Sequence, residues 1–137
     1  MATEWYLQAY AKGHEQQIPM TNLMPIFLKY PIQKHENCID LMLPSGMVSV
    51  YINWSSDCVS SMMISRPIQC DTLSNVLFEV MQCGNFIFFT SDGVLPIVIT
   101  PCIVDELPVG MIDSLGYPRL AENLTTFSQI LTKMYSH

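Results

Sequence analysis

Between Glu36 and Ser65 apolar residues fall at every second position in three successive runs, a period that admits little besides β-strands. Glu36 to Leu43 and Met47 to Trp54 flank Pro44-Ser45-Gly46, and Asp57 to Ser65 follows a turn at Ser55-Ser56. Strands place successive side chains on opposite faces, so this alternation buries one face and leaves the other wet. With turns this short, the runs predict a three-stranded antiparallel meander.

The period then lengthens. From Asp71 to Cys83 the apolar residues Leu73, Val76, Leu77, Val80 and Met81 share one helical face, with Asp71 placed to cap the start and Gly84 to end it. A second helix is expected from Pro118 to Tyr135, where Leu120, Leu124, Phe127, Leu131 and Met134 keep a spacing of four and three. Between the helices, Asn85 to Thr90 and Val94 to Thr100 flank Ser91-Asp92-Gly93, and Asp-Gly is a strong hairpin signal. Leu107 to Gly116 reads as loop or a single helical turn. Near the start, Trp5, Leu7, Ala9 and Ala11 alternate like a strand, whereas Thr3, Tyr6, Leu7 and Tyr10 would also serve a helix; the strand is preferred. Pro19, Pro25 and Pro31 then restrict Ile18 to Ile32 to short elements. The fold class is therefore α+β: an antiparallel sheet in the order βββαββα, with room for an extra N-terminal strand, covered by two amphipathic helices.

A chain of 137 residues, half of them hydrophobic and 13% charged, is expected to form one domain over 1–137 and to bury a substantial core. Its longest apolar stretch, Val94 to Val104, is broken by Pro96, Thr100 and Pro101 and falls short of the roughly 20 residues that span a bilayer. Glu4 stands where an export signal would carry positive charge, so the expected compartment is the cytoplasm. There the acceptor patterns Asn53-Trp54-Ser55 and Asn123-Leu124-Thr125 do not meet the glycosylation machinery.

The net charge of −6 is unevenly spread. Residues 1–66 are nearly balanced, but Pro67 to Pro118 contains Asp71, Glu79, Asp92, Asp105, Glu106 and Asp113 and no base. An anionic block repels phosphate backbones and speeds encounter with basic proteins, which disfavours nucleic acid as a direct partner. A solvated acidic face that only aids solubility is the competing account.

Catalytic signatures do not appear. Five cysteines, Cys38, Cys58, Cys70, Cys83 and Cys102, form no Cys-x-x-Cys and read as small core residues rather than a zinc or disulfide framework. A cysteine nucleophile needs an imidazole, and neither His14 nor His35 is spaced so as to dictate one. Gly-x-Ser-x-Gly is absent, the six glycines build no phosphate loop, and Asp105-Glu106 reads as a solvated turn before acid-base work. Phe86, Phe88 and Phe89 have no basic neighbours and are assigned to the core. Met20, Met24, Met42, Met47, Met62, Met63, Met81 and Met111 suit either core filling or an adaptable binding surface. No cofactor or metal is called for, and the expectation is a binding protein, not an enzyme.

Two stretches carry a resemblance: Arg66-Pro67-Ile68-Gln69-Cys70-Asp71-Thr72-Leu73 running into Gly84-Asn85-Phe86-Ile87-Phe88-Phe89, and Leu107 to Pro118. In motif order they resemble the immunity proteins of bacterial polymorphic-toxin and contact-dependent growth inhibition loci. The resemblance assigns no residue a role, but it implies an antitoxin that neutralises a cognate toxin, here a nuclease domain with a basic groove. Asp92, Asp105, Glu106 and Asp113 are then the candidate partner-binding acids, with Trp54 and Tyr117 as aromatic anchors. The element order is also similar to that of homodimeric type III secretion effector chaperones, from which Pro19, Pro25 and Pro31 depart by interrupting the opening helix that family has. A cysteine-dependent enzyme working through Cys58 or Cys83 is the third alternative.

Overall fold

The computed structural model describes residues 3–55, 57–93 and 96–135, without the side chains of 53–55, 134 and 135. The chain is mixed α and β, with a mostly antiparallel sheet and several helices. The strand β1 (Glu4–Ala11) turns through Lys12-Gly13 into β2 (His14–Glu15) and then β3 (Ile18–Pro19), which leads directly into α1 (Met20–Phe27). Next come β4 (Ile32–Lys34), β5 (Cys38–Leu43), β6 (Gly46–Ser55), β7 (Cys58–Ser65) and α2 (Asp71–Met81). Then follow β8 (Phe86–Thr90), β9 (Ile97–Val98), a 3-10 helix over Pro101–Glu106, α3 (Met111–Leu115), β10 (Arg119–Leu120) and α4 (Leu124–Tyr135).

The sheet runs β10-β9-β8-β1-β7-β6-β5-β4, with β2 on β1 and β3 on β7. The N-terminal segment is thus a strand, and it lies between β7 and β8. Its alternation explains the place: Trp5, Leu7 and Ala9 are all buried on one face, and both of its edges are paired. β5, β6 and β7 are consecutive antiparallel neighbours, with the register broken by an irregularity between Ile52 and Trp54. Among the described residues only β9 and β10 pair in parallel. The expected strand from Val94 is reduced to Ile97–Val98, while Val94 and Leu95 lie outside the described residues.

Among the described residues the core takes side chains not from two helices but from α1, α2 and α4, with Ile103 of the 3-10 helix beside them. α1 buries Met20, Leu23, Ile26 and Phe27 despite Pro25, which lies near the end of a helix only eight residues long. α2 starts after Cys70, whose extended backbone takes the cap position; Asp71 is instead in the first turn, where its charge favours the helix dipole. α2 ends at Met81 with Gln82 as its cap, so Gly84 is not the stop. Ile18 leans on Gly84 so closely that a Cβ there would come within 2.4 Å of the isoleucine Cδ1. α4 begins at Leu124, not Pro118, because the Asn123 side chain accepts the Thr126 N–H at 2.8 Å and sets the cap. Pro118 is buried, and Arg119 and Leu120 run as a strand. Trp5 meets Phe88 edge-on at 5.4 Å, Phe88 meets Phe127 at 5.9 Å, and Phe127 meets Phe78 at 5.8 Å, which joins the sheet to α4 and α2. No helix among the described residues is long and apolar enough to cross a membrane.

Candidate interaction surface

Because Trp5, Leu7 and Ala9 face the core, Tyr6, Gln8 and Tyr10 stand on the other side of the sheet. Their cross-strand neighbours are Phe89 and Ile87 of β8 and Met63 and Ser61 of β7. Phe89 is therefore not with Phe86 and Phe88 in the helix-covered core: it stacks on Tyr6, with ring centroids 5.1 Å apart and planes inclined by 21°. The Tyr10 hydroxyl donates to Gln8 Oε1. Burial, and then the negative charge of Glu15 across the β1–β2 hairpin, push the Tyr10 hydroxyl pKa up.

Part of this second face is met by the stretch from Pro108 to Leu115, which follows the 3-10 helix. The Gly13 N–H donates to the Glu106 carbonyl at 2.9 Å, which fastens the segment to the tip of the β1–β2 hairpin. The five residues of α3, none fully buried, then follow between Gly110 at φ 88° and Gly116 at φ 95°. A cavity of about 460 Å³ lies where Tyr10 and Phe89 meet Pro108, Met111 and Leu115. A second, of about 390 Å³, involves Tyr6, Gln8, Tyr51, Ser61 and Met63 on the uncovered part of the face. The methionines divide: Met20, Met62 and Met81 are buried, whereas Met42 and Met47 form an exposed cross-strand pair near Tyr51. On the helical side, a groove of about 600 Å³ between α2 and α4 is lined by short polar chains partly bonded to one another, as Ser128 donates to Asp71 at 3.4 Å.

The acids expected to act together stand apart. Asp92 follows β8 in a turn whose Ser91 N–H donates to the Glu4 carbonyl at the start of β1, and its carboxylate accepts the Thr90 hydroxyl. Glu106 is fastened beyond the other end of β1, which at about 3.3 Å per residue puts the two roughly 25 Å apart. Asp105, exposed, and Glu106, half-buried, are in the 3-10 helix, and Asp113, exposed, is in α3, so none of the three is on plain loop. Tyr117, 67% exposed, precedes β10 at the end of the sheet that holds Asp92. The backbone of Trp54 pairs with Val59 near the opposite end, and its side chain lies outside the described residues.

The sequence reading missed a polar cluster on β5. Asp40 accepts the Ser49 hydroxyl at 2.8 Å, pairs with His35 Nε2 at 2.9 Å and accepts the Cys38 thiol at 3.6 Å. The Ser49 hydrogen bond, followed by that of His35, holds the Asp40 carboxyl below its ordinary pKa. Strand alternation puts Cys38 and Asp40 on one face and hairpin register puts Ser49 opposite Asp40, but that register is invisible until the turn is fixed. The aspartate thus bridges the Ser49 hydroxyl and the His35 ring.

All five cysteines are free; Cys70 and Cys83, partly buried, pack against the core as expected, whereas Cys102 is exposed and does not belong to it. Burial, then Asp40, raises the Cys38 thiol pKa; burial, then Glu79, raises that of Cys83. A reactive thiolate requires the opposite shift. Among the described residues no group of His, Cys, Asp and Glu is arranged to hold a metal ion. No protein-family model, no curated protein and no solved structure matches this chain.

Proposed function

We propose that this chain is an immunity protein, an antitoxin that binds and neutralises a toxin domain with a basic substrate groove, as a nuclease has. The observation that carries the reading is the segment 101–118, which is fastened to the β1–β2 hairpin at Glu106, meets the second face of the sheet between Pro108 and Leu115, and carries Asp105, Glu106 and Asp113 and no base. Charge of one sign on a fixed support steers a cationic partner and can occupy a groove shaped for phosphate. Asp92 stands apart from these acids, so the proposed contact centres on the segment, with Val109, fully exposed at its bend, and Tyr117 near its end.

Co-expression with the polypeptide encoded beside it tests the reading. Rescue of growth and co-elution as one complex are expected, and soluble expression without rescue overturns it. In the purified complex, Asp105→Lys with Glu106→Lys should slow association several-fold at low salt and flatten its salt dependence. An unchanged on-rate and salt slope would remove the segment from the interface. The exposed pair Met42 and Met47 favours the chaperone alternative, in which a homodimer holds an effector segment. Light scattering separates the two, since a stable free homodimer belongs to the chaperone.

A further inference from the structure

The cavity beneath α3 combines features that the acidic segment alone does not have. One wall is aromatic, made by Tyr10 and by Phe89 already stacked on Tyr6. The opposite wall is flexible and apolar, made by Met111 and Leu115. Glu15 is the direct cross-strand neighbour of Tyr10 on the same face; it is exposed, and its charge is felt at the Tyr10 hydroxyl. Asp113, two residues from both Met111 and Leu115 on the same helix, is exposed and turned away from their shared face. Of the bases in the same hairpin, His14 pairs with Ala11 and so faces the other way, and Lys12 is in the turn beyond the strand. Rings, an open alkyl-lined hollow and a carboxylate beside Tyr10 are complementary to a long apolar stem ending in a planar cation.

We infer that this cavity receives an arginine side chain from the protein partner, its methylenes between Met111 and Leu115, its guanidinium over the Tyr10 and Phe89 rings and facing Glu15. Arginine fits better than lysine because its flat, weakly hydrated head stacks on aromatic faces. Such a residue is common in a groove built to hold phosphate, so the inference rests on the proposed function and specifies one contact of it. Gly110 and Gly116, both at positive φ, set the turns that hold α3 against Tyr10 and Phe89.

An NMR titration of the full chain with N-acetyl-arginine methylamide tests the contact without any toxin. Saturable shifts are expected at the Met111 and Leu115 methyls and the Tyr10 and Phe89 rings. The citrulline analogue, of equal shape and no charge, should bind several-fold more weakly. Glu15→Gln and Phe89→Leu should each weaken arginine binding by roughly three- to fivefold, the scale of an exposed ion pair or cation–π contact. Dispersed amide spectra would establish that both variants fold. Absence of saturable shifts at these four residues, equal binding of citrulline, or indifference to both substitutions overturns the inference. Saturable binding of arginine in a chain that rescues no toxin-expressing cell keeps the pocket and removes the antitoxin reading. Rescue by a chain that ignores arginine removes the pocket alone.

Discussion

Asp40 gathers the edge of β4, the strand β5 and the neighbouring β6 through three side-chain contacts. Its folded pKa lies below the ordinary value near 3.8, so the folded protein binds this proton less tightly than the unfolded chain does. The contribution to stability is therefore present above about pH 4 and is lost as pH falls through the lower folded value. We expect Asp40→Asn to lower the urea midpoint near pH 6 and the gap from wild type to narrow toward about pH 2. A gap independent of pH would falsify the assignment. At this same scale, Phe88 and Phe89 show how much one step along a strand decides: one ring joins the helix-covered core and the next faces the candidate site.

At the scale of elements, two glycines separate two physical requirements. Gly110 adopts φ 88° but has open space where a Cβ would stand, so Gly110→Ala should cost about 1 kcal/mol through backbone strain alone. Gly84 needs no unusual φ, but Ile18 and Gln16 crowd its missing Cβ, so Gly84→Ala should cost about 1–3 kcal/mol by overpacking. Trimming Ile18 to Val should recover part of the second loss and none of the first, which paired denaturation measurements would detect. Strands and helices with long apolar periods were legible in the sequence, as β5 to β7 and α2 illustrate. Boundaries set by a single polar contact were not: α4 starts where Asn123 caps it, although Pro118 offers a plausible first turn. For the candidate site, the acids could be found by composition, but their separation depends on where Asp92 and Glu106 fall along β1. The wall made by Tyr10 and Phe89 becomes visible only when strand register puts the outward residues of β1 and β8 side by side.

For the molecule as a whole, Phe127 is where sheet and helices meet. It is fully buried and touches the rings of both Phe88 and Phe78. Phe127→Ala should cost about 3–5 kcal/mol, a large share of the stability of a domain this size, and should lower the thermal midpoint more than any change along the exposed segment. Calorimetry of the two classes of variant checks the ranking.

The central position of β1 also has a consequence in time. Tyr6 pairs with Met63 on one side and Phe89 on the other, so this strand emerges from the ribosome about eighty residues before its second neighbour. At roughly 5–20 residues per second, several seconds of translation pass while the edge of this aromatic-rich strand that takes β8 is unpaired, even after β2 and β7 have been made. Nascent chains stalled short of β8 should therefore be captured by chaperones that bind apolar strands, and release should coincide with the appearance of Phe86 to Thr90.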